Sequence, residues 1–397
     1  MSRELGSIRV GLTFDDVLLV PSRSGLPSRK YADVSSRLTR TLRLNTPILS
    51  ANTPWCTEHN MALAMAACGG IGIVHRMTTV DRQVAEVGKV KSGTAESRFF
   101  EPSRDRSGRP LAGAAVGVKD DYLDRARALI DAGADVLVVD VAHGHADHTI
   151  AAVERLKGAL PGTGVIAGNV ATAAGTRDLI EAGADAVKVG IGPGSMCTTR
   201  VVTGSGVPQL TAIMECAAEA ERDDVPVIAD GGLRAPGDIV KALAAGASTV
   251  MLGGMLAGAD ESAAMPVDAG DRQVRTTTGY PSLGMELTLK ALRGEPVDED
   301  ELRAYVPEGT EATYASTGPV VDTILRCVGG LRSGMSYSGA ATLAQLRANA
   351  EFIRVRAPGF AEGLPHALTA TAQVDLDHTR FLGRSGPPPT GEGGAFG

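Results

Sequence analysis

The sequence predicts an α/β fold, a closed (β/α)8 TIM barrel with a long flap insertion after the eighth strand. Three observations carry that expectation. The first is a series of short apolar runs at Ile48–Ser50, Gly72–His75, Ala112–Gly117, Val136–Asp140, Val165–Ala167, Ala186–Val189, Val227–Asp230 and Thr249–Leu252. Most lack polar alternation, the pattern of parallel strands buried on both faces. The second is the Ala- and charge-rich amphipathic stretches between many of them, such as Tyr122–Asp131 and Ile239–Ala245. The third is a weak internal repeat. Asp131-Ala-Gly-Ala-Asp135, Glu181-Ala-Gly-Ala-Asp185 and Ala244-Ala-Gly-Ala-Ser248 each close a helix and open a strand. The glycine suits the left-handed position that ends a helix. About eight strand–helix units favour a closed barrel over an open doubly wound sheet.

The 397 residues suit one barrel with insertions, expected over 1–383. The Pro/Gly-rich tail 384–397 reads as disordered. Lys91–Pro110 is polar and turn-rich, and reads as a surface loop or hairpin. Asp260–Gly318 is long, charged and weakly periodic, and reads as a mobile flap. With 4% aromatic residues and 49 glycines, the core must come from Ala, Val, Leu and Ile in repeated layers.

A net charge of −7 argues against a nucleic-acid or anionic-membrane surface. No apolar run approaches the ~18 residues of a membrane span, and the N-terminus shows no signal peptide. Five scattered cysteines without a CxxC pair read as reduced thiols of a cytoplasmic protein, not as disulfides or a zinc site.

The polar segments follow predicted strands, so a barrel would gather them at one mouth. Val189-Gly-Ile-Gly-Pro-Gly-Ser-Met-Cys-Thr-Thr-Arg200 is the most informative. Its glycines let backbone N–H groups approach a phosphate, Ser195 adds a hydroxyl, and Cys197 follows as a candidate nucleophile. Cys68, Cys216 and Cys327 read instead as small buried hydrophobes. In Ile228-Ala-Asp-Gly-Gly-Leu233, Asp230 suits ribose hydroxyls and Gly232 a phosphate, although a simple turn explains that segment equally well. Gly253 and Gly254, after the last strand, match the usual barrel phosphate site. In Asp140-Val-Ala-His-Gly-His145 the histidines lack a third metal ligand nearby, so no metal is expected. Asp140 and Asn169, at strand ends, suit a cofactor amide or ribose.

These segments, with LTFDDVLLVPSRS, GGIGIVHR and GGLRSGMSYSGA, resemble the IMP dehydrogenase / GMP reductase family from about Leu12 to His366. The resemblance implies a tetrameric barrel whose cysteine, here Cys197, attacks C2 of a purine nucleotide and forms a thioimidate. It implies a catalytic Thr199 and Glu308. The substrate would be held by Ser50, Ser195, Asp230, Gly232, Gly253, Gly254, Gly279, Tyr280 and Ser282. Asp140, Asn169 and Gly190 would face a nicotinamide, NADPH or alternatively NAD. A monovalent cation at Gly192, Gly194 and Cys197 is a further expectation.

The family's dehydrogenases carry a tandem regulatory domain where only the short stretch after Lys91 stands here. Their flap Arg-Tyr pair, which activates water, is matched by Glu295 and Pro296, with Arg303 and Tyr305 as a shifted alternative. The family's Ala-Met-Asp-Thr-Val is here Asn52-Thr53-Pro54-Trp55-Cys56. Its Tyr-Arg-Gly-Met-Gly-Ser is here Thr277-Thr278-Gly279-Tyr280-Pro281-Ser282. The expected activity is therefore NADPH-dependent reductive deamination of a guanine-type nucleoside monophosphate, with a modified base such as a 7-deazaguanine in view. The alternatives are NAD-dependent IMP dehydrogenation and a non-catalytic nucleotide-binding homologue.

Overall fold

Runs of Val, Ile, Leu and Ala form the eight strands of a closed parallel barrel: β1 (Ile48–Ser50), β2 (Ile71–Val74), β3 (Ala112–Val116), β4 (Val136–Asp140), β5 (Gly164–Val170), β6 (Ala186–Val189), β7 (Val227–Asp230) and β8 (Thr249–Leu252). The computed structural model describes residues 8–356 except Asp120, Asp271, Tyr280 and Pro281, together with Gly359, Glu362 and Gly363. The tail 384–397 and Tyr280 thus lie outside the described residues. β8 pairs back to β1 from Val250↔Ile48 to Leu252↔Ser50, so the barrel has no free edge. β5 runs beyond the expected Ala167 because Gly168 still pairs with Asp140 before a register shift reaches Val170↔Val189. Such an irregularity at a strand end re-aims a side chain, here that of Asn169.

Helices α1 (His59–Ala67), α2 (Val80–Ser92), α3 (Tyr122–Asp131), α4 (Asp147–Ala159) and α5 (Ala173–Glu181) follow β1 to β5 in turn. The short α6 (Thr199–Thr203) and α7 (Gln209–Ala220) follow β6, and α8 (Pro236–Ala244) follows β7. α8 starts before the expected Ile239 because proline begins a helix readily and the Asp238 carboxylate accepts from Arg234 N and Ala235 N. The repeat has a physical basis. Gly133, Gly183 and Gly246 have φ of 101°, 100° and 116°. Asp135 Oδ2 accepts from Ala112 N at 2.8 Å, and Asp185 Oδ2 accepts from Val165 N at 2.8 Å. Each acid thereby ties neighbouring strands together at the foot of the barrel.

The stretch expected as a loop from Lys91 starts differently. Lys91 and Ser92 close α2, and the Lys91 ammonium is buried against Asp105 at 2.9 Å and Asp135 at 2.8 Å. A buried cation needs such partners, so the segment is pinned at its middle. Beyond α2 it shows only an isolated bridge, Arg104↔Pro110.

Residues 260–318 carry regular structure that their charge conceals. Strands β9 (Met265–Ala269), β10 (Arg272–Thr278) and β11 (Glu311–Ala315) form an antiparallel sheet, with α9 (Leu283–Arg293) and α10 (Glu299–Ala304) between β10 and β11. The Thr276–Thr278 run suits a strand because β-branched side chains fit a pleated surface. Ser282 caps α9, and Gly294, at φ 67°, ends it. A bridge between Ala259 and Gly318 closes the base of this insertion. α11 (Val320–Tyr337) completes the helical ring, and α12 (Leu343–Asn349) follows it. α11 approaches α8 closely: a Cβ on Gly330 would meet Pro236 Cβ at 2.4 Å. Among the described residues, no helix is long and apolar enough to cross a membrane.

Candidate active site

The β6–α6 turn places its thiol with one backbone bond and one side-chain bond. Cys197 N donates to Gly194 O at 3.1 Å, and the thiol donates to Thr199 Oγ1 at 3.2 Å. The Thr199 hydroxyl donates in turn to Glu308 Oε2 at 2.7 Å. Glu308 arrives from the flap, 109 residues away. Its segment is held to the loop by Thr198 N→Glu308 O at 2.8 Å and Thr310 N→Met196 O at 3.0 Å. Three residues expected to act together thus form one chain of hydrogen bonds. The other four cysteines are buried, and burial pushes the thiols of Cys56 and Cys327 up to about 11 and those of Cys68 and Cys216 up to about 12. Cys197 alone of the five is partly exposed.

Two pockets, of about 450 and about 190 Å³, meet at Cys197. The larger is lined by Ser195, Asp230, Gly232, Gly253 and Gly254. The smaller is lined by Asp140, Asn169, Gly190, Gly192 and Gly194, and shares Asp230. Gly190, at φ 152°, lies so close to β7 that a Cβ would sit 2.1 Å from Asp230 O. Only glycine fits there.

In the lining of the smaller pocket stands Lys188, 2% exposed. Its ammonium donates to Asp140 Oδ1 at 2.9 Å, to Asp230 Oδ2 at 2.5 Å and to Asn169 Oδ1. The Asn169 amide donates to Asp230 Oδ2 at 2.9 Å and to Gly190 O at 2.8 Å. One buried cation therefore orients Asp140, Asn169 and Asp230 together. Burial alone would lower the Lys188 ammonium, but Asp140 and Asp230 hold it above its ordinary value. Burial likewise opposes ionisation of Asp140, but Lys188 and Arg76 keep its carboxyl below the usual range. Lys188 was not among the expected site residues. A charged residue inside the apolar run Ala186–Val189 was the signal available.

The chain belongs to the IMP dehydrogenase / GMP reductase family. The model of the IMP dehydrogenase / GMP reductase domain matches residues 11–366. The chain is 39% identical to inosine-5′-monophosphate dehydrogenase of Nitrosopumilus maritimus (strain SCM1), over 90% of this chain and 98% of the relative. It is 35% identical to GMP reductase of Leishmania major, over 92% and 98%. A crystal structure of GMP reductase from Trypanosoma brucei in complex with guanosine 5′-monophosphate superposes with a TM-score of 0.85 at 34% identity, covering 91% of this chain and 99% of that one. The two alignments extend over 466 and 486 positions, more than the 397 residues here. Relatives of both names therefore carry a stretch without counterpart in this chain, and its shortness does not separate the branches. Members of the family are nicotinamide-dependent oxidoreductases acting on purine nucleoside monophosphates.

Not every expected residue reaches the pockets. Ser50 is fully buried, and its hydroxyl accepts from Thr57 Oγ1 at 2.8 Å, so it supports the β1–α1 turn instead of facing a ligand. Ser282, 3% exposed, spends its hydroxyl on Met285 N. Gly279 backs the Glu308 segment, where a Cβ would lie 2.3 Å from Thr310 O. Glu295 and Pro296, expected to match the family's Arg-Tyr pair, are both exposed just past α9. Arg303 is exposed on α10, and Tyr305 caps that helix. Among the described residues, the charged side chains lining the two pockets are Asp140, Lys188, Asp230 and Arg234. His145, considered as a metal ligand, has its Nε2 2.7 Å from Asp178 Oδ2.

Proposed function

We propose that this chain catalyses NADPH-dependent reductive deamination at C2 of a guanine-type nucleoside monophosphate. The observation that carries the reading is the Cys197–Thr199–Glu308 chain of hydrogen bonds; Arg234, the guanidinium lining the two pockets among the described residues, is paired with Asp15. A hydrolytic dehydrogenase needs a group that deprotonates water next to the thioimidate. A reductase needs a path that moves one proton from the thiol to departing ammonia, and the relay is such a path.

In this reading the Cys197 proton passes through Thr199 to Glu308, and the thiolate forms a bond to C2. The same proton returns to the exocyclic amine, which leaves as ammonia and gives the thioimidate. A nicotinamide held by Asp140, Asn169 and Gly190 would supply the hydride that C2 requires. The C2–S bond then breaks, and Cys197 takes up one proton. The balance is nucleotide, NADPH and H⁺ in, and deaminated nucleotide, NADP⁺ and ammonia out. Asp230 holds the ribose, and Ser195 and the amides of Gly232, Gly253 and Gly254 hold the phosphate. Asp140, Asn169 and Gly190 hold the nicotinamide end. The third pocket, of about 670 Å³ and bordered by Val141, Lys119 and His148, has room for the rest of that cofactor. A cation at the carbonyls of Gly192, Gly194 and Cys197, a tetramer and a cytoplasmic location belong to the same reading.

The greater identity to a dehydrogenase than to a reductase keeps NAD-dependent oxidation of IMP as the second reading. Nicotinamide absorbance separates the two. GMP with NADPH should show falling absorbance with ammonia release, and IMP with NAD should show none. The reverse pattern would establish the dehydrogenase. Silence in both, with Cys197 still alkylated by iodoacetamide, would direct the same assay to a 7-deazaguanine nucleotide, the modified base suggested by Thr53 and Trp55 in the larger pocket.

A further inference from the structure

We infer that the hydroxyl of Tyr314, on flap strand β11, is a phosphate-binding group of the nucleotide site. This rests on the reading of the larger pocket as a nucleoside monophosphate site. Tyr314 lines that pocket, and its hydroxyl stands 2.7 Å from Ser195 Oγ. Both hydroxyls crown the glycine turn after β8. A Cβ built on Gly254 would lie 2.9 Å from Ser195 Oγ and 3.4 Å from the Tyr314 hydroxyl. An oxyanion received by the amides of that turn therefore has two hydroxyl donors over it, one from the barrel and one from the flap.

The ring is held for the purpose. Trp55, 7% exposed, stacks on Tyr314 with centroids 6.2 Å apart and planes 18° apart. The far edge of the same indole packs on Gly253, where a Cβ would sit 3.2 Å from Trp55 Cη2. The neighbouring hydroxyl is spent elsewhere. Thr277 shares a sheet face with Tyr314, because Arg275 pairs with Tyr314 and Thr277 with Ala312. Yet Thr277 is 1% exposed, and its hydroxyl donates to Ala312 O at 2.9 Å and lies 3.0 Å from Met196 Sδ. Cationic help is scarce. Arg234, the cation lining this pocket among the described residues, donates to Asp15 Oδ1 at 2.5 Å. Neutral donors must then meet most of the phosphate charge, so each one counts.

The test compares binding of GMP, guanosine and ribose 5-phosphate to the wild type and to Tyr314→Phe by calorimetry, with thermal midpoints as a check on folding. One hydrogen bond to a charged group predicts about 10- to 100-fold weaker GMP and ribose 5-phosphate binding by the variant. Guanosine, without phosphate, should bind both alike. The loss should persist when Tyr314→Phe is added to Ser195→Ala; its disappearance there would mean that Tyr314 only positions Ser195, and would overturn the inference. Equal GMP affinity in wild type and Tyr314→Phe, or equal losses for GMP and guanosine, would overturn it too. If ribose 5-phosphate binding depends on Tyr314 while no purine nucleotide is turned over, the functional reading fails and the phosphate contact stands.

Discussion

Lys188 lies at the floor of the site with Asp140, Asn169 and Asp230 around it, all on barrel strands or at their ends. Tyr314 reaches the same site from a three-stranded sheet outside the barrel, and Glu308 from the segment just before that sheet's last strand. The two halves are held by different forces. The barrel half rests on a buried cation whose partners cannot leave without exposing charge to a low dielectric. The flap half rests on main-chain bonds around 308–310, on the Thr199–Glu308 and Ser195–Tyr314 hydrogen bonds and on one stacked aromatic pair. Damage to the first should therefore appear as lost stability, and damage to the second as lost rate.

Cys197→Ala, at the junction of both halves, should lower turnover about 10⁴-fold or more while nucleotide binding survives; initial rates and calorimetry on one preparation check this. In the barrel half, Lys188→Met leaves the partly buried Asp140 and Asp230 without the ammonium they share. A stability loss of about 3–5 kcal/mol in urea unfolding is expected, and an unchanged midpoint would show that the cluster is not a unit. In the flap half, Glu308→Gln should lower kcat about 10²- to 10³-fold with the unfolding midpoint unmoved. Gly279→Ala pushes a methyl into Thr310 O and should displace the Glu308 segment, at a cost of about 1–3 kcal/mol felt mainly in kcat. A loss seen in the melting curve alone would blur the division between the halves.

The smallest effect concerns acid. Burial opposes ionisation of Glu86 and Asp105, but Lys89 and the His59 N–H outweigh it for Glu86, and Lys91 and two backbone donors for Asp105. Their pKa values fall to about 2 from ordinary values of 4.5 and 3.8. Folded values below unfolded ones mean stabilisation that is complete above the ordinary range and lost as pH falls through the folded value. Urea midpoints should therefore be flat from neutrality to about pH 5 and drop progressively towards pH 2. A curve flat through that range would contradict the ion pairs that pin the barrel's outer helices and the 94–110 segment.

The sequence by itself determined the barrel. Buried parallel strands need unbroken apolar runs, and helix ends need a left-handed residue, so Val136–Asp140 and Gly133 announce themselves locally. It also determined the junction at Cys197, because glycines that let backbone amides crowd together are spelled out in consecutive positions. Only the tertiary structure decided what each polar residue does. Ser50 and Ser282 carry the hydroxyls a ligand would want, but one serves Thr57 and the other a helix start. Thr277 and Tyr314 are far apart in sequence and alternate like any exposed strand residues. Antiparallel pairing of β10 with β11 put both on one face, then turned the threonine inward and the tyrosine over Ser195. Lys188 gathers partners from β4, β5 and β7. Hydrogen bonds act over about 3 Å, so residues dozens of positions apart become partners only when closure of the barrel brings their strand ends to one mouth.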